Sequence, residues 1–463
     1  MRSSFRIFWC CLLALPLLAK AGSFSLSEQS VSGLGTAYAG GAAQAEDAST
    51  LFFNPAGIVL LEQGELQLAA HVISPSAKFT NQGSQYLTLP ITGLPISGGN
   101  DGDAGVTKVL PNFYLTQPVF RNTRYGDLSV GVGVSVPFGL ETHYDAGWVG
   151  RYEALRTKLT IFDIQPTIAY RLFDRISFGA SLDIQRASAT LTQALDFGLA
   201  FRQPGALDGF SEVKGDDWSV GYTLGALLEY MKGSENSFLQ EGRFGVSYRA
   251  GIDHTLEGHA DFHSVPAPFT GVYFDQNAKA QLDLPDILHF SVYQRFARQF
   301  AVVADLAWTR WSRLQNVPIT FQNPATSANV LVINYDDANR YALGFEYYAT
   351  KSLTLRTGFA YDETPIQSAE LRTPRIPDSN RYFLSAGLGW KATRWMDLDV
   401  GYAHLFVQDP EVDVTDNQGH NLRGVYDASV DIVSASVTFR WGGQREVAPL
   451  AEKDSKDVAG YRK

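Results

Sequence analysis

The 463-residue sequence predicts an all-β chain: an antiparallel transmembrane β-barrel with an N-terminal plug inside its lumen. Three observations predict it. An export leader opens the chain, no later apolar run is long enough for a membrane helix, and many segments alternate apolar with polar residues.

The leader comes first. Arg2 and Arg6 precede an apolar stretch over residues 7–19, and Ala19-Lys20-Ala21 offers a small-residue cleavage site before Gly22. Cleavage after Ala21 is expected, because the stretch is too short to span a bilayer as a helix. Cys10 and Cys11 raise the alternative of a lipid-modified cysteine, but Phe8 and Trp9 stand where such a site needs small residues. These are the chain's 2 cysteines, so the exported protein holds no disulfide and must be stabilised otherwise.

Composition points the same way. The chain is 13% aromatic and rich in glycine, yet its mean hydropathy is only −0.10, as expected when alternate residues alone face lipid. A formal charge of −10 argues against a nucleic-acid partner.

The strands are read from a period of two. Over residues 433–441 the odd positions Val433, Ala435, Val437, Phe439 and Trp441 face lipid, and Ser434, Ser436, Thr438 and Arg440 face inward. A slip of one residue would put Arg440 into lipid. Over 218–230, Trp218, Val220, Tyr222, Leu224, Leu228 and Tyr230 face outward, with aromatics at both ends where interfacial girdles belong. Segments 128–136, 300–308, 353–361, 382–390 and 396–402 read alike, and weaker ones lie near Leu66, Phe113, Thr160, Phe178, Phe244, Asp283 and Ala342. The total is about fourteen, an even number that leaves both termini in the periplasm. Long connections at 82–103, 203–215, 266–276 and 410–424 are expected outside, and short ones such as Phe173-Asp174-Arg175 on the periplasmic side. The competing architecture is a large soluble β-sandwich or propeller, which does not require aromatic-capped apolar faces on most strands.

Two segments break the pattern. Residues 30–61 are rich in Gly, Ala and Ser, and Phe52-Phe53-Asn54-Pro55-Ala56-Gly57 ends any strand pattern there, which fits a plug in a lumen too wide for wall side chains to fill. Residues 444–463 are charged and aperiodic, as in a disordered tail. The expected division is 1–21 signal, 22–63 hatch, 64–442 barrel and 443–463 periplasmic tail.

The residues then become specific. The runs 23–30 (Ser-Phe-Ser-Leu-Ser-Glu-Gln-Ser) and 32–40 (Ser-Gly-Leu-Gly-Thr-Ala-Tyr-Ala-Gly), with Asp47-Ala48-Ser49 and Asn54-Pro55-Ala56-Gly57, resemble the hatch of the FadL family. Pro137-Phe138-Gly139-Leu140-Glu141-Thr142, Trp148-Val149-Gly150-Arg151-Tyr152, Leu284-Pro285-Asp286, Asp362-Glu363-Thr364-Pro365 and Arg375-Ile376-Pro377-Asp378 extend the resemblance over nearly the whole exported chain. It implies a monomeric, plugged fourteen-stranded barrel in the Gram-negative outer membrane. Such a barrel passes long-chain fatty acids or similar hydrophobic molecules without an energy source or cofactor. It also implies a third strand kinked inward for lateral release into the membrane, which falls here on Pro137, Phe138 and Gly139. Proline gives no ladder hydrogen bond and glycine permits a bend, although the strand could simply end at Pro137. Many such barrels end on an aromatic residue, whereas here Phe439 and Trp441 precede a further tail.

Candidate site residues follow. Gly33, Gly35, Asn54, Pro55 and Ala56 are assigned to the hatch, where glycines allow close packing and Asn before Pro favours a fixed turn. Phe24 is a candidate pocket wall. Arg186 and Arg356 are candidates to meet a ligand carboxylate, against the alternative that they join wall ion pairs with Asp183 or Asp399. Other expected partners are outer-membrane lipid and lipopolysaccharide.

Competing functions are weaker. An outer-membrane phospholipase would need a nucleophile beside a base, and no Gly-x-Ser-x-Gly elbow occurs. His254 would point opposite to His259 and His263 in a strand, which disfavours a metal site. An aqueous porin would need an open lumen, and an uptake channel for aromatic hydrocarbons would share the same architecture.

Overall fold

The computed structural model describes residues 22–232, 238–326 and 329–442; the expected signal, with Cys10 and Cys11, and the expected tail lie outside them. A closed antiparallel barrel of 14 strands results. Its strands are β1 Gly64–Asn81, β2 Lys108–Thr123, β3 Gly126–His143, β4 Arg156–Leu172, β5 Ile176–Asp196 and β6 Asp208–Lys232. Four strands, each in two pieces, follow: β7 (Leu239–Arg249 and Asp253–His263), β8 (Gln276–Asp283 and Ile287–Phe296), β9 (Phe300–Thr309 and Asn316–Phe321) and β10 (Asn329–Val332 and Ala338–Tyr348). The circuit ends with β11 Leu353–Asp362, β12 Arg381–Lys391, β13 Met396–Val407, continued by Glu411–Thr415, and β14 His420–Trp441. β1 pairs with β14 from Gly64↔Trp441 to Asn81↔Gly424, which closes the wall.

The alternation holds where it was read. On β14, Val433 is 56% exposed while Ser434, Ser436 and Thr438 are buried, and on β6 Trp218, Val220, Tyr222 and Leu224 face out while Thr223 is buried. Two connections expected as loops are largely strand. β6 begins at Asp208 and runs 25 residues, with Lys214 opposite Thr190 of β5, and β14 begins at His420. At roughly 3.3 Å per residue such a strand spans about 80 Å, against an apolar band of about 25 Å. The wall therefore continues far outside the membrane. There the outer face meets water and can carry Asp216 and Lys214, so polar composition no longer marks a loop.

Inside lies the segment 22–63. It contains α1 Val31–Gly35, α2 Thr50–Phe53 and a 3-10 helix Pro55–Leu60. Ser30 caps α1 by accepting from Gly33 N, and the Asn54 side chain caps the 3-10 helix by accepting from Ala56 N, with Pro55 first in line where its missing N–H costs nothing. The hatch supplies what the wide lumen lacks, an apolar filling. Leu34, Tyr38, Ala43 and Phe53 pack on Val303, Phe383, Leu405 and Ile432, and Ala48, Leu51, Ile58 and Val59 pack on Tyr114 and Ala169.

Candidate functional site

The contact between hatch and wall is built on inward-facing glycines. A carbon added to Gly225 would collide with Asn54 Oδ1, one on Gly179 with Ala56 N, and one on Gly358 with the Thr36 backbone. These three wall positions thus form slots for the hatch backbone. Gly35 does the same from the hatch side, lying against Arg356 and Gly387. Asn54 Nδ2 donates to Ala42 O at 2.7 Å and to Ala226 O of β6 at 3.0 Å, which stitches the hatch to itself and to the wall. Wall arginines donate to hatch carbonyls as well: Arg340 to Ala37 O at 2.6 Å, Arg249 to Phe52 O at 3.3 Å and Arg243 to Gln44 O.

Arg356 belongs to this clamp. Its guanidinium is buried among Glu46 of the hatch, Glu346 at 3.2 Å and Asp399 at 2.9 Å, so its donors are consumed and the alternative reading, a wall ion-pair network, describes it. Arg186 also departs from the expectation. It shares the outward face of β5 with Phe178 and Leu182, is half-exposed, and lies 3.4 Å from Asp216 on the outer face of β6. The strand alternation puts it outside the lumen. His254 is buried and bonds Asp217 at 2.9 Å.

The wall is interrupted between β2 and β3. β2 and β3 pair from Phe113↔Val134 down to Thr123↔Gly126; above that level 108–112 pair only with β1. β3 slips its register against β4 between Ser135 and Phe138, which leaves Val136 and Pro137 opposite a single residue and turns Phe138 inward to 2% exposure. The backbone groups freed by this bulge are taken by the start of the hatch. Leu26 N donates to Pro137 O at 2.9 Å, Gly139 N donates to Phe24 O at 3.0 Å, and Gln29 Nε2 donates to Val136 O at 2.8 Å. A cavity of 510 Å³ crosses the wall here, lined from inside by Ile73, Phe383 and Ile432 and from outside by Val109 and Phe162. Val109 is 61% exposed on the outer face and Ile432 is 1% exposed, so one cavity meets both solvents of the barrel.

A second, almost wholly apolar cavity of 90 Å³ lies beside the first. Phe24 forms one wall, packed edge-on to Trp311 with ring centroids 4.9 Å apart and against Phe138 at 6.0 Å. Leu159, Leu256, Leu282 and Ile333 form others, and Arg375 lines it together with Lys158, Lys214 and Lys279. Arg375 is 3% exposed, and its donors reach only neutral oxygens: Thr157 Oγ1 at 3.1 Å, Thr192 O at 3.5 Å and Gln193 Oε1 at 2.7 Å. Its Nε has no partner among the described residues. Burial pushes its pKa down to about 10, against the opposing field of Glu153. The sequence carries Arg375 within the Arg-Ile-Pro-Asp run without marking a role for it, because nothing in a loop reveals which apolar wall it will meet. Outside, Phe197 stacks on Phe269 at 4.9 Å while Phe201, Leu207 and Phe274 stay exposed on neighbouring loops.

A family model described as outer membrane protein transport protein (OMPP1/FadL/TodX) matches residues 12–441. The chain belongs to this family. Its members are transport proteins of the outer membrane. The long-chain fatty acid transport protein of Escherichia coli O6:H1 is 29% identical over 432 residues, covering 87% of this chain and 90% of that protein. Among solved structures, a Pseudomonas aeruginosa FadL homologue superposes with a TM-score of 0.80 at 24% identity, covering 91% of this chain and 100% of the other. The Pseudomonas putida toluene transporter TodX superposes with 0.62 at 16% identity, covering 86% and 95%. At those identities the two structures speak for the shared fold alone.

Proposed function

We propose that this chain carries long-chain fatty acids across the outer membrane by passive diffusion, with no catalytic step. Aromatic loop residues around Phe201 and Phe274 capture the acyl chain above the membrane. The apolar cavity beside Phe24 then holds it, each buried methylene contributing roughly 0.8 kcal/mol. Release runs sideways, through the cavity between β2 and β3, once the strand-like pairing of Phe24 and Leu26 with β3 gives way. Within the membrane the outward face of the wall meets lipid and lipopolysaccharide.

The observation that carries this reading is Arg375. A buried guanidinium held only by neutral oxygens is costly, and an incoming carboxylate at the end of an apolar cavity relieves that cost with charge-assisted hydrogen bonds. The name of the E. coli relative agrees. A second reading, uptake of aromatic hydrocarbons, is favoured by the small volume of the apolar cavity.

Binding of a radiolabelled long-chain fatty acid to detergent-folded protein, with toluene as competitor, separates the two. Saturable binding that toluene does not displace, weakened about tenfold or more by Arg375→Gln, is expected from the loss of about 1.5–3 kcal/mol of charged hydrogen bonding. Saturable toluene binding without fatty-acid binding would move the cargo to hydrocarbons.

A further inference from the structure

The hatch begins in an enclosed place. Gly22 is buried, and a carbon added to its Cα would stand 2.8 Å from Asp378 Oδ2 and 3.0 Å from Glu363 O. Ser23 N donates to the same Asp378 oxygen at 2.7 Å, Thr364 Oγ1 donates to it at 2.8 Å, and Ser23 Oγ donates to Tyr335 OH at 3.1 Å. Two cations stand nearby: Arg381 is 3.7 Å from the other Asp378 oxygen and divides itself between Asp378 and Asp362, and Arg372 Nε donates to the Asp378 carbonyl at 2.8 Å. So an acceptor-rich, buried carboxylate faces the residue that signal removal after Ala21 makes the first of the chain.

We propose that the α-ammonium of processed Gly22 docks on the Asp378 carboxylate and the Glu363 carbonyl, and that this contact positions Phe24, two residues on, in the wall of the apolar cavity. The ammonium arises when a leader-removing peptidase hydrolyses the Ala21–Gly22 bond. One water is consumed, Ala21 leaves with a carboxylate, and the Gly22 amine takes up a proton. Before that step the Gly22 nitrogen is a neutral amide with a single N–H; afterwards it is a cation with three. Only the processed chain can therefore make the ion pair, which links removal of the leader to completion of the cavity. Burial raises the pKa of the Asp378 carboxyl against the opposing field of Arg381, and a further cation beside it would hold it ionised. The docking depends on the expected leader and on the enclosure of Gly22, and is independent of the cargo.

The test is acetylation of amines in the purified, folded, full-length processed protein near neutral pH, followed by intact mass and peptide mapping. A mature chain starting at Gly22 is expected. Its α-amine should react about tenfold more slowly in the folded than in the heat-unfolded protein, since pairing that raises its pKa by about one unit removes about nine-tenths of the reactive neutral form. Asp378→Asn should abolish that protection and Asp378→Glu retain part of it. Two alanines inserted between Ala21 and Gly22 should also abolish it, with every wall residue left in place. A mature start elsewhere, equal reactivity in folded and unfolded wild type, or full protection in Asp378→Asn would each overturn the proposal.

Discussion

Arg375 and Arg356 are both buried arginines of the lumen, and their neighbours separate their roles. Arg356 is bound by three carboxylates, one of them from Glu46, 310 positions away, whereas the Arg375 guanidinium donates, among the described residues, to neutral oxygens alone. The inward orientation of Arg356 was legible from strand parity; its partners were not, because the hatch has no period that fixes what it touches. Arg375 has a consequence for pH. With its pKa pushed down to about 10, it is charged at neutral pH and loses its proton as pH rises through that value, while the cargo carboxylate stays ionised. Fatty-acid affinity measured by equilibrium binding should hold up to about pH 9 and then fall with increasing pH, and toluene affinity should stay flat. Asn54 supports a second prediction. Asn54→Ala removes the bonds to Ala42 O, Ala226 O and Ala56 N, roughly 1 kcal/mol each. Uptake of labelled fatty acid by cells should drop while the heat-resistant electrophoretic mobility of the barrel remains.

Among elements, β3 decides the outcome. Pro137 and Gly139 marked a place where a ladder could fail, and the register slip between Ser135 and Phe138 lies there. The occupant of the gap was not legible, since residues 24–26 pair with β3 only after a bulge has exposed its backbone groups. The same holds for the glycine slots. Parity with the outward Leu224 turns Gly225 of β6 inward, but its purpose, to admit Asn54, needs the hatch in place. The four interrupted strands β7–β10 also share one level, where Ile252, Leu284, Trp311 and Tyr335 cluster with Phe24, and no single strand announces that coincidence. Gly139→Leu tests the seam. The new side chain would press on Leu26, whose Cδ1 already stands 3.0 Å from the position of an added carbon, so uptake should fall several-fold. Gly147→Ala, where an added carbon meets nothing within 4 Å, should leave it unchanged.

For the whole molecule, barrel, strand count and outward faces followed from alternation, because lipid on one side and hatch or water on the other impose a period of two along every strand. What the period cannot give is the height of the wall, since above the membrane both faces become polar. A lumen packed by the hatch through apolar clusters and arginine clamps obstructs the passage of water and ions. The folded protein in planar bilayers should accordingly show almost no steady ion conductance, and a large steady conductance would return the aqueous porin to consideration.

The closing pair of strands bears on how the chain comes together at all. Arg440 of β14 bonds Glu65 of β1, 375 positions away, so the ladder that closes the wall is the one with the greatest entropic cost of search. The hatch precedes β1 and touches β2 through Tyr114 and Asn112 on one flank and β11 and β12 through Gly358 and Gly387 on the other. A segment that touches both flanks shortens that search. The plug that fills the finished pore thereby also holds near one another the two flanks that the closing ladder must join.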